Sequence, residues 1–94
     1  MTATPPGDAA GVDAAIGSLV DGRAPDEAAQ VLATLVSRAA TRLHTLTRAE
    51  AAARRDQPEW PAWAQLQNAA RSLVLQASTC RDLATRLFAR KDHA

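Results

Sequence analysis

Residues 63–87 read WAQLQNAARSLVLQASTCRDLATRL and contain the most regular apolar pattern in the chain. Apolar side chains recur here at alternating steps of three and four positions, the heptad spacing of a helix that packs along another helix. The eight positions are Trp63, Leu66, Ala70, Leu73, Ala77, Cys80, Ala84 and Leu87. The pattern predicts one long helix over about residues 61–91.

A second long helix is predicted over about residues 25–55. Pro25 suits a first helical position, and Asp26 and Glu27 suit the positive end of the helix dipole. No glycine or proline follows until Pro58, which together with Pro61 breaks the helix. The same heptad spacing in this segment selects Ala29, Leu32, Val36, Ala39, Leu43, Leu46, Glu50 and Ala53.

The two heptad patterns predict an antiparallel helical hairpin. Pairing Ala53 with Trp63 at the turn and Ala29 with Leu87 at the far end places a large residue opposite a small one in most layers. In this register Cys80 is a small buried residue of the helix contact.

A short N-terminal helix is predicted over about residues 8–21, because Val12, Ile16, Leu19 and Val20 share one helical face. Gly22 suits its end. We expect this helix to cover the apolar residues beside the hairpin contact, in its own chain or in a second chain by exchange. Those residues are Val31, Leu35, Leu83 and Phe88. Residues 1–7 are expected to form a flexible tail, and residues 8–94 a single helical domain.

The composition supports an all-α fold that depends on a partner. The 94 residues include 23 alanines, ten leucines and only five valines. Alanine favours helices, whereas strands favour β-branched and aromatic residues. A small core of alanine and leucine buries little area, so we expect the hairpin to form a multi-helix bundle with a partner chain.

The candidate interaction residues cluster near the turn of the predicted hairpin. Tryptophan and arginine are enriched in binding hot spots, and the turn end carries Trp60, Trp63, Arg48, Arg54, Arg55 and Arg71. In the alternative interpretation, Trp63 caps the helix contact, Trp60 fastens the turn and the arginines are only solvated.

Two further candidates lie along the helices. Glu50 breaks the apolar pattern. It either pairs with Arg54 four residues later, or it meets an arginine of a partner or lines a site that another subunit completes. Leu75 points away from the predicted contact and is a candidate dimer residue.

No catalytic, cofactor or metal site is expected from the sequence. Cys80 is the only cysteine, and neither His44 nor His93 has a second ligand at metal-binding spacing. No glycine-rich phosphate-binding motif occurs. We therefore expect no catalytic activity of the chain's own and no cofactor.

The chain is expected to be cytoplasmic and not membrane-bound. Residues 1–8 lack the basic and apolar regions of a signal peptide, no apolar run approaches about 18 residues, and a single cysteine allows no internal disulfide. Ten arginines against one lysine, with 23 alanines, is a usage typical of a GC-rich bacterial genome.

The charges are unevenly distributed along the chain. Residues 1–27 hold five acidic residues and one arginine, a net charge of −4, whereas residues 28–94 hold ten basic and five acidic residues, a net charge of +5. An arginine-rich face that includes Arg38 and Arg42 would suit a nucleic-acid-associated regulator. The isoelectric point near 8.0 and the lack of a reading motif count against that function.

The turn sequence separates this chain from the secreted WXG-type hairpins, because Trp60-Pro61-Ala62 and Trp63-Ala64-Gln65 lack the glycine of that motif. In size and helical architecture the chain is similar to small helical subunits of larger bacterial enzymes, such as the small subunit of cyclodipeptide oxidases. That similarity implies an accessory subunit of an enzyme whose active site and cofactor lie mainly on another chain. The function that the sequence favours is a non-catalytic helical interaction protein, which associates with itself or with a larger protein subunit.

Overall fold

Three helices follow one another in the computed structural model, which describes the backbone of residues 8–93 and the side chains of residues 8–90. They are α1 (Ala9–Val20), α2 (Pro25–Ala53) and α3 (Trp60–His93). No strand occurs within residues 8–93. The all-α class and the long helical hairpin with a short N-terminal helix are confirmed, whereas the expected tail, residues 1–7, lies outside the described residues.

Local signals fix the ends of α1. The Asp8 carboxylate accepts hydrogen bonds from the backbone N–H groups of Ala10 and Gly11, at 3.3 and 3.2 Å, and so caps the first turn. At the other end Gly22 has a φ of 84°, a left-handed conformation that glycine adopts without steric cost. The chain therefore turns sharply between α1 and α2.

The turn between α2 and α3 contains Pro58 and ends just before Pro61. Pro25 occupies the first turn of α2, and α2 ends at Ala53, two residues before the predicted end. The backbone N–H of Gln57 donates to the Arg54 carbonyl at 2.9 Å, and that of Trp60 donates to the Gln57 carbonyl at 3.1 Å. Pro61 falls in the first turn of α3, where a helix does not need its N–H. The connection is short enough to bring α3 back along α2.

The contact between α2 and α3 consists of small side chains. The buried residues are Ser37, Ala40, Thr47 and Ala51 in α2, and Ala70 and Ala77 in α3. Thr47 is fully buried, and its hydroxyl donates to the carbonyls of Leu43 and His44, at 2.8 and 3.1 Å. The Thr47 hydroxyl is thus satisfied within its own helix.

The predicted register of the hairpin is wrong by one position in α2. The contact runs through Ala40 and Thr47, whereas the expected residues Ala39 and Leu46 are exposed. In α3 the alanines Ala70 and Ala77 are buried as expected. Of the other members, Trp63 and Ala84 are half-buried, whereas Leu66, Leu73, Cys80 and Leu87 are exposed. Small residues let the two helices approach closely, which leaves no room for leucines between them.

Among the described residues, α1 packs only against α2. Contacts between helices are found for α2 with α3 and for α1 with α2. Within its own chain α1 therefore does not cover Leu83 and Phe88 of α3, and Leu83 is 56% exposed. Cover of these residues by α1 of a second chain stays a prediction. The molecule is a slab one helix thick, with extents of 57 × 37 × 13 Å.

Candidate interaction surfaces

Most of the exposed large apolar side chains of α2 and α3 lie on one side of the slab. In α2, Leu46 precedes the buried Thr47, and in α3, Leu66 precedes the half-buried Gln67. One position is a rotation of about 100° around a helix. In two antiparallel helices, the residues one position before the contact residues lie on the same side of the pair. The leucines of both helices therefore form one surface.

We call this surface the leucine face. It comprises Val36, Leu43 and Leu46 of α2 and Leu66, Leu73 and Leu87 of α3. Apart from the half-buried Leu43, these side chains are between 40 and 55% exposed. Soluble monomers rarely expose contiguous apolar patches of this kind, which mark interaction sites.

α1 extends the apolar surface along the outer flank of α2. A groove between the two helices has only apolar residues in its lining: Val12, Ala15, Ile16, Leu19, Leu35, Val36 and Ala39. Val12 and Leu19 nevertheless remain 50 and 43% exposed. α1 therefore borders the leucine face without closing it.

The turn end of the slab carries a cluster built around Arg54. Its guanidinium pairs with the Glu50 carboxylate, lies 3.8 Å from the Glu59 carboxylate and sits 5.0 Å from the centroid of the Trp63 ring. Glu50 and Arg54 are each about one-third exposed, so water reaches the pair. The predicted intrachain pair of Glu50 with Arg54 is formed, which leaves the Glu50 carboxylate neutralised without a partner chain.

The other side of the slab is basic. Two shallow grooves follow the line where α2 meets α3. One is lined by Ser37, Arg38, Thr41, Arg42 and Arg81, and the other by His44, Arg48, Gln67, Asn68 and Arg71. We call the surface formed by Arg38, Arg42, Arg48, Arg71 and Arg81 the basic face. No ion pair occupies these five arginines within the part of the chain that the structure describes.

The interaction candidates from the sequence divide among three places. Glu50, Arg54 and Trp63 form the turn cluster, while Arg48 and Arg71 share a groove of the basic face. Trp60 and Arg55 are exposed at the turn, and Leu75 is 67% exposed. Leu75 follows the half-buried Val74, so it lies away from the leucine face. The candidates do not form a single site.

Sequence reasoning missed two features. Leu46, Leu66 and Leu73 were assigned to the helix contact, although they are the exposed surface. Arg81 was not among the candidates, yet it faces Arg38 across a groove. A signal was present in the spacing, because Arg81 lies ten residues after Arg71 just as Arg48 lies ten residues after Arg38.

The described side chains form no metal-binding cluster. No group of three or more His, Cys, Asp or Glu residues there could hold a metal ion. Cys80, expected to be buried in the contact, is instead an exposed free thiol. Within the same residues, no helix combines the length and apolar character needed to cross a membrane.

Comparisons with known proteins give no relative: no protein family matches the chain, and neither a curated protein nor a solved structure matches it.

Proposed function

We propose that this chain is a non-catalytic association module that pairs with a second copy of itself through the leucine face. The observation that carries this proposal is the exposure of the large apolar side chains of α2 and α3 on one side of a slab. The small side chains between the helices use little of the available apolar area. A second layer of helices, supplied by another copy of the chain, would bury the remaining apolar area.

The surface area supports a second layer. The chain exposes 7203 Å², whereas a folded monomer of 9.9 kDa is expected to expose about 5,200 Å². The excess of about 2,000 Å² exceeds the roughly 800 Å² that each partner buries in a standard interface. The radius of gyration of 16.9 Å likewise exceeds the value of about 12 Å for a compact chain of this length.

The chemistry of the leucine face suits a second copy. The nearest charged groups of α2, Glu50 and Arg54, neutralise each other within the chain, so a partner needs no complementary charge. An interface with two-fold symmetry requires a surface that matches itself, and a uniform apolar surface meets that condition. Leucines of one copy can pack against exposed alanines such as Ala39 of the other.

Pairing in this way would form a four-helix bundle in which each hairpin is one layer. Helices of such bundles cross at about 20° and bury their apolar residues between them. α1 would lie at the border of the interface, where the exposed sides of Val12 and Leu19 could contact the partner. The proposed pair thus accounts for exposed residues of all three helices.

The test is the mass of the full chain in solution, measured by sedimentation equilibrium between about 1 and 500 µM, a range that detects micromolar dissociation constants. We expect a dimer. Leu46→Gln should raise the dissociation constant about tenfold or more, because each copy loses the burial of a leucine side chain. Helix content should remain, since Leu46 is already exposed in the single chain.

Leu75→Gln is the matched control. It makes the same substitution at an exposed leucine outside the leucine face, so the dissociation constant should not change. A monomer across the whole range would contradict the proposal. Dissociation by Leu75→Gln but not by Leu46→Gln would assign the interface to the opposite side of the slab.

A further inference from the structure

The central part of the hairpin, which is bounded by Glu50 in α2 and by Asp82 in α3, carries only positive formal charges. Residues 28–49 contain Arg38, Arg42 and Arg48, residues 60–81 contain Arg71 and Arg81, and neither range contains an acidic residue. The five arginines are the basic face. We propose that this face binds the phosphate backbone of a nucleic-acid duplex without reading its sequence.

The arrangement of the arginines fits a repeating anion. Arg38 and Arg81 line one groove, and Arg48 and Arg71 line the next. Within each helix the two positions are ten residues apart, which corresponds to about 15 Å along the axis. Cationic groups thus lie at two levels along the same side of the slab. A single small anion could reach only one level.

The like charges are not neutralised within the described residues. The nearby carboxylates of Glu50 and Glu59 are drawn to Arg54, and Glu27 lies 3.9 Å from Arg23. No acidic residue lines either groove. A polyanion would relieve the repulsion between facing arginines and release its own counterions, which is the main source of sequence-independent affinity for duplexes.

The acidic N-terminal segment does not cancel this local charge. α1 packs on the flank of α2 that carries Leu35, Val36 and Ala39, away from the two grooves. The net charge of +1 therefore averages two parts of the molecule that lie apart.

Two other kinds of ligand fit less well. A lipid surface takes up the apolar side of an amphipathic helix, whereas here the leucine face is the surface that we propose is buried in the pair. Proteins that bind single strands stack bases on aromatic rings, and neither groove is lined by tryptophan or phenylalanine. One groove instead offers guanidinium and hydroxyl groups and the other guanidinium and amide groups, all of which are common donors to phosphate oxygens.

The test uses the full chain and fluorescence anisotropy with a labelled duplex of about 30 base pairs, as DNA and as RNA of the same sequence. At about 50 mM salt we expect micromolar to sub-millimolar binding that weakens about 250-fold by about 200 mM, with a log–log slope near −4 for four or five phosphate contacts. The double variant Arg48→Gln/Arg71→Gln should weaken binding at least tenfold and reduce the slope by about 2.

The matched control is Arg23→Gln/Arg90→Gln, which removes the same charge outside the basic face and should leave affinity within about twofold. Similar binding of DNA and RNA would identify the phosphate backbone as the ligand. A preference for one of the two would identify that kind of duplex as the natural ligand. The proposal is overturned by absent duplex binding at low salt, by equal losses in both double variants, or by equal binding of polyglutamate. Binding of phosphatidylserine vesicles without binding of duplex would overturn it as well.

Discussion

At the scale of single residues, the size of a few side chains decides how α2 meets α3. Ala40 and Ala77 are 1 and 2% exposed, and their methyl groups occupy the space that leucines fill in a heptad contact. Close packing leaves no gap for a larger group, because protein interiors have few voids. The hairpin contact therefore depends on residues that contribute little apolar area of their own.

We expect Ala40→Leu to lower the free energy of unfolding by about 1–3 kcal/mol, the usual effect of forcing extra methyl groups into a packed contact. Urea unfolding followed by circular dichroism, at one fixed protein concentration, measures the change.

The control is Ala49→Leu, the same substitution at an exposed position of α2, which should change stability by less than about 0.5 kcal/mol. If both variants were equally stable, the contact would not pass through Ala40, and the register with Ala39 in the contact would be favoured.

At the scale of elements, the link between α1 and α2 depends on one backbone conformation. A Cβ at Gly22 would meet no atom within 4 Å, yet its φ of +84° is strained for other residues. Gly17, inside α1, has ordinary helical geometry, and a Cβ there would lie 3.1 Å from the flexible Asp21 carboxylate. A larger residue is therefore strained at Gly22, whereas a larger residue is compatible with the backbone at Gly17.

We expect Gly22→Ala to destabilise the chain by about 1–2 kcal/mol, the cost of a left-handed alanine. Gly17→Ala should instead stabilise it by about 0.5–1 kcal/mol, because alanine favours helices. Thermal unfolding of the two variants beside the unchanged chain measures both effects, and equal shifts of the same sign would contradict this account of the link.

The helices themselves could be predicted from the sequence, but the way they face each other could not. Gly22, Pro25, Pro58 and Pro61 mark ends that the structure places within about two residues of the prediction, because these residues act on their own backbone. The side of α2 that meets α3 could not be predicted in this way, since α2 carries a stripe of leucine and alanine directly beside a stripe of small residues. Either stripe can form a contact, and Leu46 beside Thr47 is the clearest instance.

The candidate site was predictable only in part for the same reason. The pairing of Glu50 with Arg54 follows from a spacing of four residues in one helix. The groove that joins Arg38 to Arg81 depends on the register between two helices. An error of one position in α2 moved the leucines from the expected interior to the surface, and with them the surface on which a partner is proposed.

At the scale of the whole molecule, the slab is 13 Å thick, so both broad faces of its single layer of helices are exposed to water. We therefore expect the melting temperature to depend on protein concentration, because pairing stabilises the folded chain by mass action. A hundredfold increase in concentration should raise the melting temperature by about 5–10 °C.

Circular dichroism at 222 nm across that range measures the shift, and Leu46→Gln should flatten it. A melting temperature that stayed constant with concentration would show that the single slab carries its own stability, and it would count against the proposed pair.

The thinness of the slab also determines what a pair could do with nucleic acid. Two slabs joined through their leucine faces turn their basic faces outward in opposite directions. Each pair would then present two cationic surfaces, back to back, with only the thickness of four helices in two layers between them. Such a particle would not coat one duplex; it would act as a cross-linker that draws separate segments together, and its effect on long DNA would be compaction.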